Sequence, residues 1–176
     1  MVSIEKYTGE LTEYLLEVTT GGGYLKGELL SSPDIDEAWM NYAAGICADA
    51  DHNFNEYPEF CFACAGYLGM AVAHLWDKDW QLNKDKPYSF FQGPHGFDDM
   101  DDHITVNILR EKKRSVAAME SCSFAANHFL YKSGAEPGTA EAYRLFLKTM
   151  DVMYRLGAAI ELCRLGYRLE KTGYPQ

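Results

Sequence analysis

The segment Phe90–Ile104, FFQGPHGFDDMDDHI, concentrates the side chains best suited to metal or acid–base chemistry. Two histidines, His95 and His103, bracket four aspartates within nine residues. Imidazole and carboxylate groups are natural ligands of zinc, iron and manganese, so one interpretation is a site for a divalent transition metal. Its ligands would be His95, Asp98, Asp99 and His103, and a metal-bound water would be the nucleophile of a hydrolase or lyase.

The same aspartates have a simpler structural interpretation. The first N–H groups of a helix lack intrahelical acceptors and favour negative charge, so DDMDD at 98–102 is typical of an acidic helix start in which one aspartate caps. The chain contains no Glu-x-x-His or His-x-x-x-His spacing, the patterns with which helices commonly present metal ligands. We therefore favour capping for most of these aspartates and predict no cofactor, with the transition metal kept as the alternative.

Two further groups of residues could carry a site. From Phe60 to Trp76 every residue is apolar or glycine except His74, and a lone histidine in such a run is typically a hydrogen-bonded core residue. Cys61 and Cys64 form a C-x-x-C in the same run, where thiolate formation is disfavoured, so we expect both to pack in the core. A pocket is the alternative for the histidine, and its lining would be His74, Phe90, Phe91 and Phe97.

Charge is distributed unevenly along the chain. Residues 1–104 hold 19 acidic and 5 basic residues, a net charge of −14, whereas residues 105–176 have a net charge of +4. Concentrated positive charge is absent apart from residues 110–114, REKKR, which disfavours nucleic acid as a partner. Acidic and basic helices could simply face each other, but the sharper hypothesis is an acidic face that binds a basic protein. Its residues would be Asp34, Asp36, Glu37, Asp49, Asp51, Glu56 and Glu59.

The spacing of apolar residues predicts helices that position these candidate groups, and no convincing strand pattern occurs. Apolar residues recur at three- and four-residue steps near residues 4–18 and 35–47, and SSPDIDEAW predicts a serine cap with Pro33 in the first turn. We predict an all-α single domain over residues 1–176, a bundle of about five helices. A buried central helix spans about 58–80, a long aromatic loop about 83–98, and the fourth helix about 101–132, with the last helix starting near Thr139.

The composition of the chain also indicates its cellular compartment, which bears on the functional hypotheses. The central apolar run is short for a bilayer and flanked by acids, which favours a buried helix over a membrane span. Five scattered cysteines and a charged N-terminal segment are typical of a reducing, cytoplasmic setting. The leading hypothesis is a noncatalytic adaptor or inhibitor that binds a basic protein through its acidic N-terminal half. The metal-dependent hydrolase or lyase is the alternative, and both enzyme activity and homo-oligomerisation are left open.

Overall fold

The computed structural model describes residues 3–52 and 58–168, and within them the chain is helical with no strand. This confirms the all-α prediction but corrects the number of helices from about five to seven. A 3₁₀ turn at Gly96–Asp99 precedes α5, and a π-helical turn at His103–Ile108 follows it. The helices are α1 (Ile4–Gly21), α2 (Pro33–Asp51), α3 (Pro58–Asn83), α4 (Ser89–Gln92), α5 (Met100–Asp102), α6 (Lys112–Lys132) and α7 (Ala140–Arg164).

The predicted fourth helix, at about 101–132, is wrong as a single element. The chain passes through α5 and the π-helical turn, and α6 begins only at Lys112. Arg110 lies between them with a φ of 54°, in the left-handed region that a residue with a Cβ rarely adopts. The predicted loop at 83–98 is also more ordered than expected, because it contains α4 and the start of the 3₁₀ turn.

Helix α3 is the centre of the bundle, as predicted, and it packs most closely against α7. A methyl group on Gly157 of α7 would overlap the carbonyl oxygen of Gly66, and one on Gly69 would overlap the carbonyl oxygen of Tyr154. These glycines let the two backbones approach closely. In the part of the chain that the structure describes, α3 is the one helix long and apolar enough to cross a membrane, and 72% of its most apolar 18-residue window is buried inside the protein.

The remaining helices cover α3 and α7 from several sides. Tyr7 of α1 places its Oη 2.7 Å from Oγ1 of Thr149 on α7, inside the core. The Tyr154 hydroxyl of α7 donates to the Ile35 carbonyl of α2 over 2.7 Å. Phe97 packs its ring edge against Phe60, with 5.4 Å between centroids, and so fixes the 3₁₀ turn over the start of α3. Together with α6, these elements leave a cleft beside the N-terminal half of α3.

The start of α2 agrees with its sequence signals in position but not in chemistry. Ser32 occupies the N-cap position with an extended backbone, and Pro33 is the first helical residue. The Ser32 side chain nevertheless makes no capping hydrogen bond, contrary to the predicted serine cap. By contrast, Thr139 caps α7 by accepting a hydrogen bond from the Ala142 N–H at 3.2 Å. The start of α2 therefore differs from those of α1, α6 and α7, where the N-cap side chain accepts a backbone hydrogen bond.

Candidate functional site

The acidic cleft lies between α3, the α5–π segment and α6, and its volume is about 410 Å³. Four carboxylates and a single ammonium group line it, which gives the lining a strong negative charge. A tyrosine forms part of its wall from α3. We define the acidic cleft by the side chains Glu59, Tyr67, Asp101, Asp102, Lys112 and Glu120.

The π-helical turn positions the aspartates of the cleft. Thr105 of this turn also lines the cleft, and its hydroxyl donates to the Asp101 carbonyl at 2.9 Å. The N–H of Leu109 donates to the Ile104 carbonyl at 2.8 Å, which closes the wide turn before the left-handed Arg110 redirects the chain into α6. π-helical turns are rare in proteins, and those that occur are often found at functional sites. The redirection places α6 against the π-helical turn, and α6 forms another wall of the cleft.

A tyrosine hydroxyl in the wall of the acidic cleft has no hydrogen-bond partner among the described residues. Tyr67 as a whole is only 4% exposed, yet its Oη makes no hydrogen bond to any residue in 3–52 or 58–168. No buried side-chain oxygen or nitrogen among the described residues lacks a partner, so this unbonded hydroxyl reaches solvent and is open to whatever occupies the cleft. Burial, together with the nearby charge of Asp101, raises the pKa of Tyr67, so the hydroxyl keeps its proton at neutral pH.

Two neighbouring carboxylates of the acidic cleft, those of Asp101 and Asp102, repel each other. Burial raises the pKa of Asp101, and the adjacent charge of Asp102 adds to the rise, against backbone hydrogen bonds that lower it. Lys112 offsets part of this repulsion, because its Nζ lies 3.0 Å from Oδ1 of Asp102. Glu59 accepts a hydrogen bond from the Asn127 amide at 3.3 Å. A cation that entered the cleft would relieve the repulsion that remains.

The four predicted metal ligands are placed in different surroundings. His95 is 82% exposed, and its Nε2 lies 3.8 Å from Oδ2 of Asp99. His103 uses both ring nitrogens, with Nε2 2.8 Å from the Phe90 carbonyl oxygen and Nδ1 3.1 Å from Nδ2 of Asn107. No group of three histidine, cysteine, aspartate or glutamate side chains among the described residues could hold a metal ion. The transition-metal alternative therefore gains no support from the geometry.

The aspartates do lie in the first turns of the 3₁₀ turn and of α5, as the acidic helix start predicts, but the capping side chain expected among them is not found. Asp99 stands at the N-cap of α5 and Asp102 at that of the π-helical turn, but neither side chain makes a capping hydrogen bond. Asp98 is exposed on the 3₁₀ turn. Asp101 and Asp102 instead line the acidic cleft. The cluster thus stands at helix starts without a side-chain cap, and two of its aspartates also contribute to a surface depression between helices.

The predicted pocket residues are dispersed across the bundle. Phe90 and Phe91 contact each other edge to face, and Phe91 also packs edge-on against Tyr42. Phe97 lies against the ring of Phe60. His74 contacts Glu161 of α7, and no hydrogen bond or ring contact within residues 3–52 and 58–168 joins it to the three phenylalanines. His74 is thus the hydrogen-bonded core histidine that the apolar run of α3 led us to expect.

Most carboxylates of the predicted acidic face already form hydrogen bonds or ion pairs within the protein. Asp34 accepts from Nε1 of Trp76 at 3.1 Å, and Asp36 lies 3.3 Å from Arg155. Asp49 accepts hydrogen bonds from Tyr88 at 2.6 Å and from Gln92 at 2.7 Å, while Asp51 pairs with Tyr143. Glu37 is exposed and lines a shallow polar groove beside α3. Glu56 lies outside the described residues, and Glu59 is the one described member of this face that lines the acidic cleft.

Sequence reasoning missed three members of the acidic cleft. Tyr67, Lys112 and Glu120 come from α3 and α6, which are distant in sequence and meet only through packing. The change in net charge near residue 104 is the sequence signal closest to the site, because the cleft forms where the acidic and basic parts of the chain meet. In comparisons with known proteins, no family model, no curated protein and no solved structure matches this chain.

Proposed function

We propose that the protein is a noncatalytic binding module whose acidic cleft receives an arginine or lysine side chain from a basic segment of a partner protein. The observation that carries the proposal is the set of four carboxylates around a tyrosine hydroxyl without a partner among the described residues. The carboxylates would attract the cationic end of the incoming side chain. The Tyr67 hydroxyl would accept a hydrogen bond from it in the wall of the cleft.

The arrangement suits an organic cation better than a metal ion. Metal ions need several ligands that converge at about 2 Å, and the described residues provide no such group. A guanidinium or ammonium group instead makes hydrogen bonds of ordinary length to carboxylates spread around a larger space. Lys112 already occupies one side of the cleft in this manner, with its ammonium 3.0 Å from Asp102.

The charge of the whole chain favours the same class of partner. A formal net charge of −10 attracts basic proteins over a distance of about one Debye length, roughly 8 Å at physiological salt. Such attraction raises the association rate and makes binding sensitive to salt. An adaptor or inhibitor of a basic protein would use these properties, with the acidic cleft as the specific contact inside a broader attractive surface.

Fluorescence anisotropy with labelled peptides tests the proposal. The probes are two peptides that alternate serine with arginine or with lysine, and a neutral peptide that alternates serine with glutamine. The test variant is the double substitution Asp101→Asn with Glu120→Gln. The control is Glu13→Gln with Glu17→Gln, which removes the same charge from the exposed face of α1, away from the acidic cleft.

We expect both basic peptides to bind the unchanged protein and the neutral peptide not to bind. The cleft variant should weaken binding of the basic peptides by about tenfold or more, since it removes two charge-assisted hydrogen bonds. The α1 control should weaken it by less than about threefold, the effect of screened surface charge. Equal losses in the two variants would show attraction without a site, and would overturn the proposal, as would the absence of binding at low salt.

A further inference from the structure

A second cavity, of about 230 Å³, opens at the start of α2 and shares no lining residue with the acidic cleft. The segment before α2 forms one wall, and side chains from α3, the end of α7 and the chain after α7 form the others. We call it the α2 pocket, and its lining includes Leu30, Ser32, Pro33, Trp76, Leu162 and Tyr167. Most of this lining is apolar, with hydrogen-bonding groups at one end.

The polar end of the α2 pocket is the unused N-cap of the helix. Ser32 is 7% exposed and has the backbone of a capping residue, with φ −143° and ψ 142°, but its hydroxyl makes no hydrogen bond to a described residue. The first N–H groups of a helix lack intrahelical acceptors, and Pro33 has no N–H. Ser32 lines the pocket beside the positive end of α2, and its hydroxyl is an unused donor there.

The aromatic walls of the α2 pocket are held by their polar edges. Nε1 of Trp76 donates to Asp34 over 3.1 Å, and the Tyr167 hydroxyl donates to Asp77 over 2.7 Å. The two ring centroids lie 5.5 Å apart with the planes tilted by 54°. Because the polar atoms of both rings are already bonded, the rings offer the pocket apolar surface for contact with another flat group.

The volume of the α2 pocket and the charges beside it limit the kinds of ligand that it can bind. Its volume equals that of about eight liquid water molecules and lies below the roughly 300 Å³ at which pockets for drug-sized ligands begin. A single ring with a small substituent fits this space. The Ser32 hydroxyl and the helix start favour a hydrogen-bond acceptor. An anion is disfavoured by the Asp34 carboxylate at the second helical position, and a cation by the helix dipole.

From these features we propose that the α2 pocket binds a small, neutral ring compound that carries a carbonyl group. The ring packs against the surface that Trp76 and Tyr167 form together, and the carbonyl oxygen accepts the hydrogen bond that Ser32 leaves unused in the protein. This site is independent of the acidic cleft, so a failure of either proposal leaves the other standing.

Saturation-transfer NMR titrations with nicotinamide, benzoate and benzylamine test this proposal. The three probes share a ring and differ in charge: neutral with a carbonyl, anionic and cationic. The variants are Ser32→Ala, Leu162→Trp, which fills the pocket, and Ser121→Ala as a matched control on the exposed face of α6. The melting temperature of each variant shows whether it folds, and Ser32→Ala should melt close to the unchanged protein because its hydroxyl caps nothing.

We expect nicotinamide to bind at millimolar concentration and the two charged rings to bind at least about fivefold more weakly. Ser32→Ala should weaken nicotinamide binding about fivefold, the effect of one neutral hydrogen bond, while Ser121→Ala leaves it unchanged. Leu162→Trp should abolish binding in a folded protein. Equal affinity for all three probes, unchanged affinity in Ser32→Ala, or no saturation transfer to nicotinamide would each overturn the proposal.

Discussion

Nδ1 of His74 on α3 lies 2.8 Å from Oε2 of Glu161 on α7, so a largely buried hydrogen bond joins the two central helices. Arg164 binds the same carboxylate through two nitrogens, each 2.6 Å from an oxygen of Glu161. The carboxylate is only 2% exposed. A buried charge of this kind is tolerated because its lone pairs are used by partners, and removing a partner leaves it uncompensated.

The Glu161 contacts predict a specific dependence of stability on pH. Burial alone would raise the pKa of this carboxyl, but the hydrogen bonds from His74 and Arg164 and their charges outweigh it and lower the pKa. A carboxyl whose folded pKa lies below its unfolded value stabilises the fold fully above the unfolded value, about 4.3. That contribution is lost as the pH falls through the lower, folded pKa.

We expect Glu161→Gln to destabilise the protein by about 3 kcal/mol at pH 7 and to flatten the acid limb of its stability profile. Urea unfolding at a series of pH values between about 3 and 7 measures both effects. Glu13→Gln, an exposed carboxyl on α1, is the control and should change the free energy of unfolding by less than about 0.5 kcal/mol. A variant Glu161→Gln whose profile runs parallel to that of the unchanged protein would contradict this prediction.

The close approach of α3 and α7 makes a second prediction, on glycine. Gly157→Ala would place a methyl group against the Gly66 carbonyl oxygen, which backbone rigidity cannot accommodate without separating the helices. We expect a loss of at least about 2 kcal/mol in the free energy of unfolding. Gly9→Ala is the matched control, since it lies in α1 with no atom near the added methyl, and should stabilise the protein by about 0.5–1 kcal/mol.

Thermal unfolding of the two glycine variants distinguishes a packing constraint from a general property of helical glycine. If Gly157→Ala melts at or above the temperature of the unchanged protein, the backbones of α3 and α7 are not in close contact at this position. The opposite signs expected for the two variants make the comparison independent of any common effect of replacing glycine by alanine in a helix.

The sequence predicts the helices more reliably than the joints between them. The starts of α1, α2 and α7 follow from Ser3, Pro33 and Thr139, whose positions in the chain provide local signals for helix initiation. The break before α6 has no such signal, because Arg110 adopts a left-handed backbone where a glycine would be expected. The Glu111 N–H, just after this turn, donates to the Thr105 carbonyl at 3.1 Å, a contact that local sequence patterns do not reveal.

The acidic cleft shows the same limit for the candidate site. The aspartates at 98–102 stand out in the sequence as a functional candidate, but their local pattern indicates only capping or metal binding. The relation of Asp101 to Tyr67 and Glu120 depends on how α3 and α6 pack around the π-helical turn. Charge counts along the chain indicate where acids are abundant, and only the fold shows which of them converge on one cleft.

Asp101 makes a third prediction that separates binding from stability. Its folded pKa is raised, mainly by burial, so the folded state favours the neutral form and is relatively destabilised once the pH exceeds the unfolded pKa of about 3.9. We expect Asp101→Asn to raise the melting temperature at pH 7 while weakening binding of the arginine peptide. The gain should disappear near pH 3, roughly one unit below the unfolded pKa, where the aspartate is largely protonated in both states.

Differential scanning calorimetry at pH 3 and pH 7 measures the effect of Asp101→Asn, with Asp98→Asn on the exposed 3₁₀ turn as the control. Asp98→Asn should leave the melting temperature nearly unchanged at both values. An Asp101→Asn variant that melts lower than the unchanged protein at pH 7 would mean that the carboxylate stabilises the fold. The acidic cleft would then have a structural role, and repulsion between its carboxylates would not favour the binding of a cation.

The cysteines give a fourth prediction, on the order in which thiols react. Burial raises the pKa of Cys61 and of Cys122 to about 12, and burial with the charge of Asp151 raises that of Cys47 to about 11. Cys64 is fully enclosed, and burial raises the pKa of its thiol well above the usual value. Thiolates are the reactive species, so these four should be slow in the native protein.

We therefore expect iodoacetamide at pH 8 to alkylate Cys163 first, since it is partly exposed near the end of α7. Peptide mass mapping at short times measures the order, and Cys163→Ser should leave the native protein almost unlabelled. In urea all five thiols should react at similar rates, which would show that the fold and not the local sequence protects them. Early labelling of Cys61 or Cys64 in the native protein would contradict their burial and would reopen a redox role for the C-x-x-C pair.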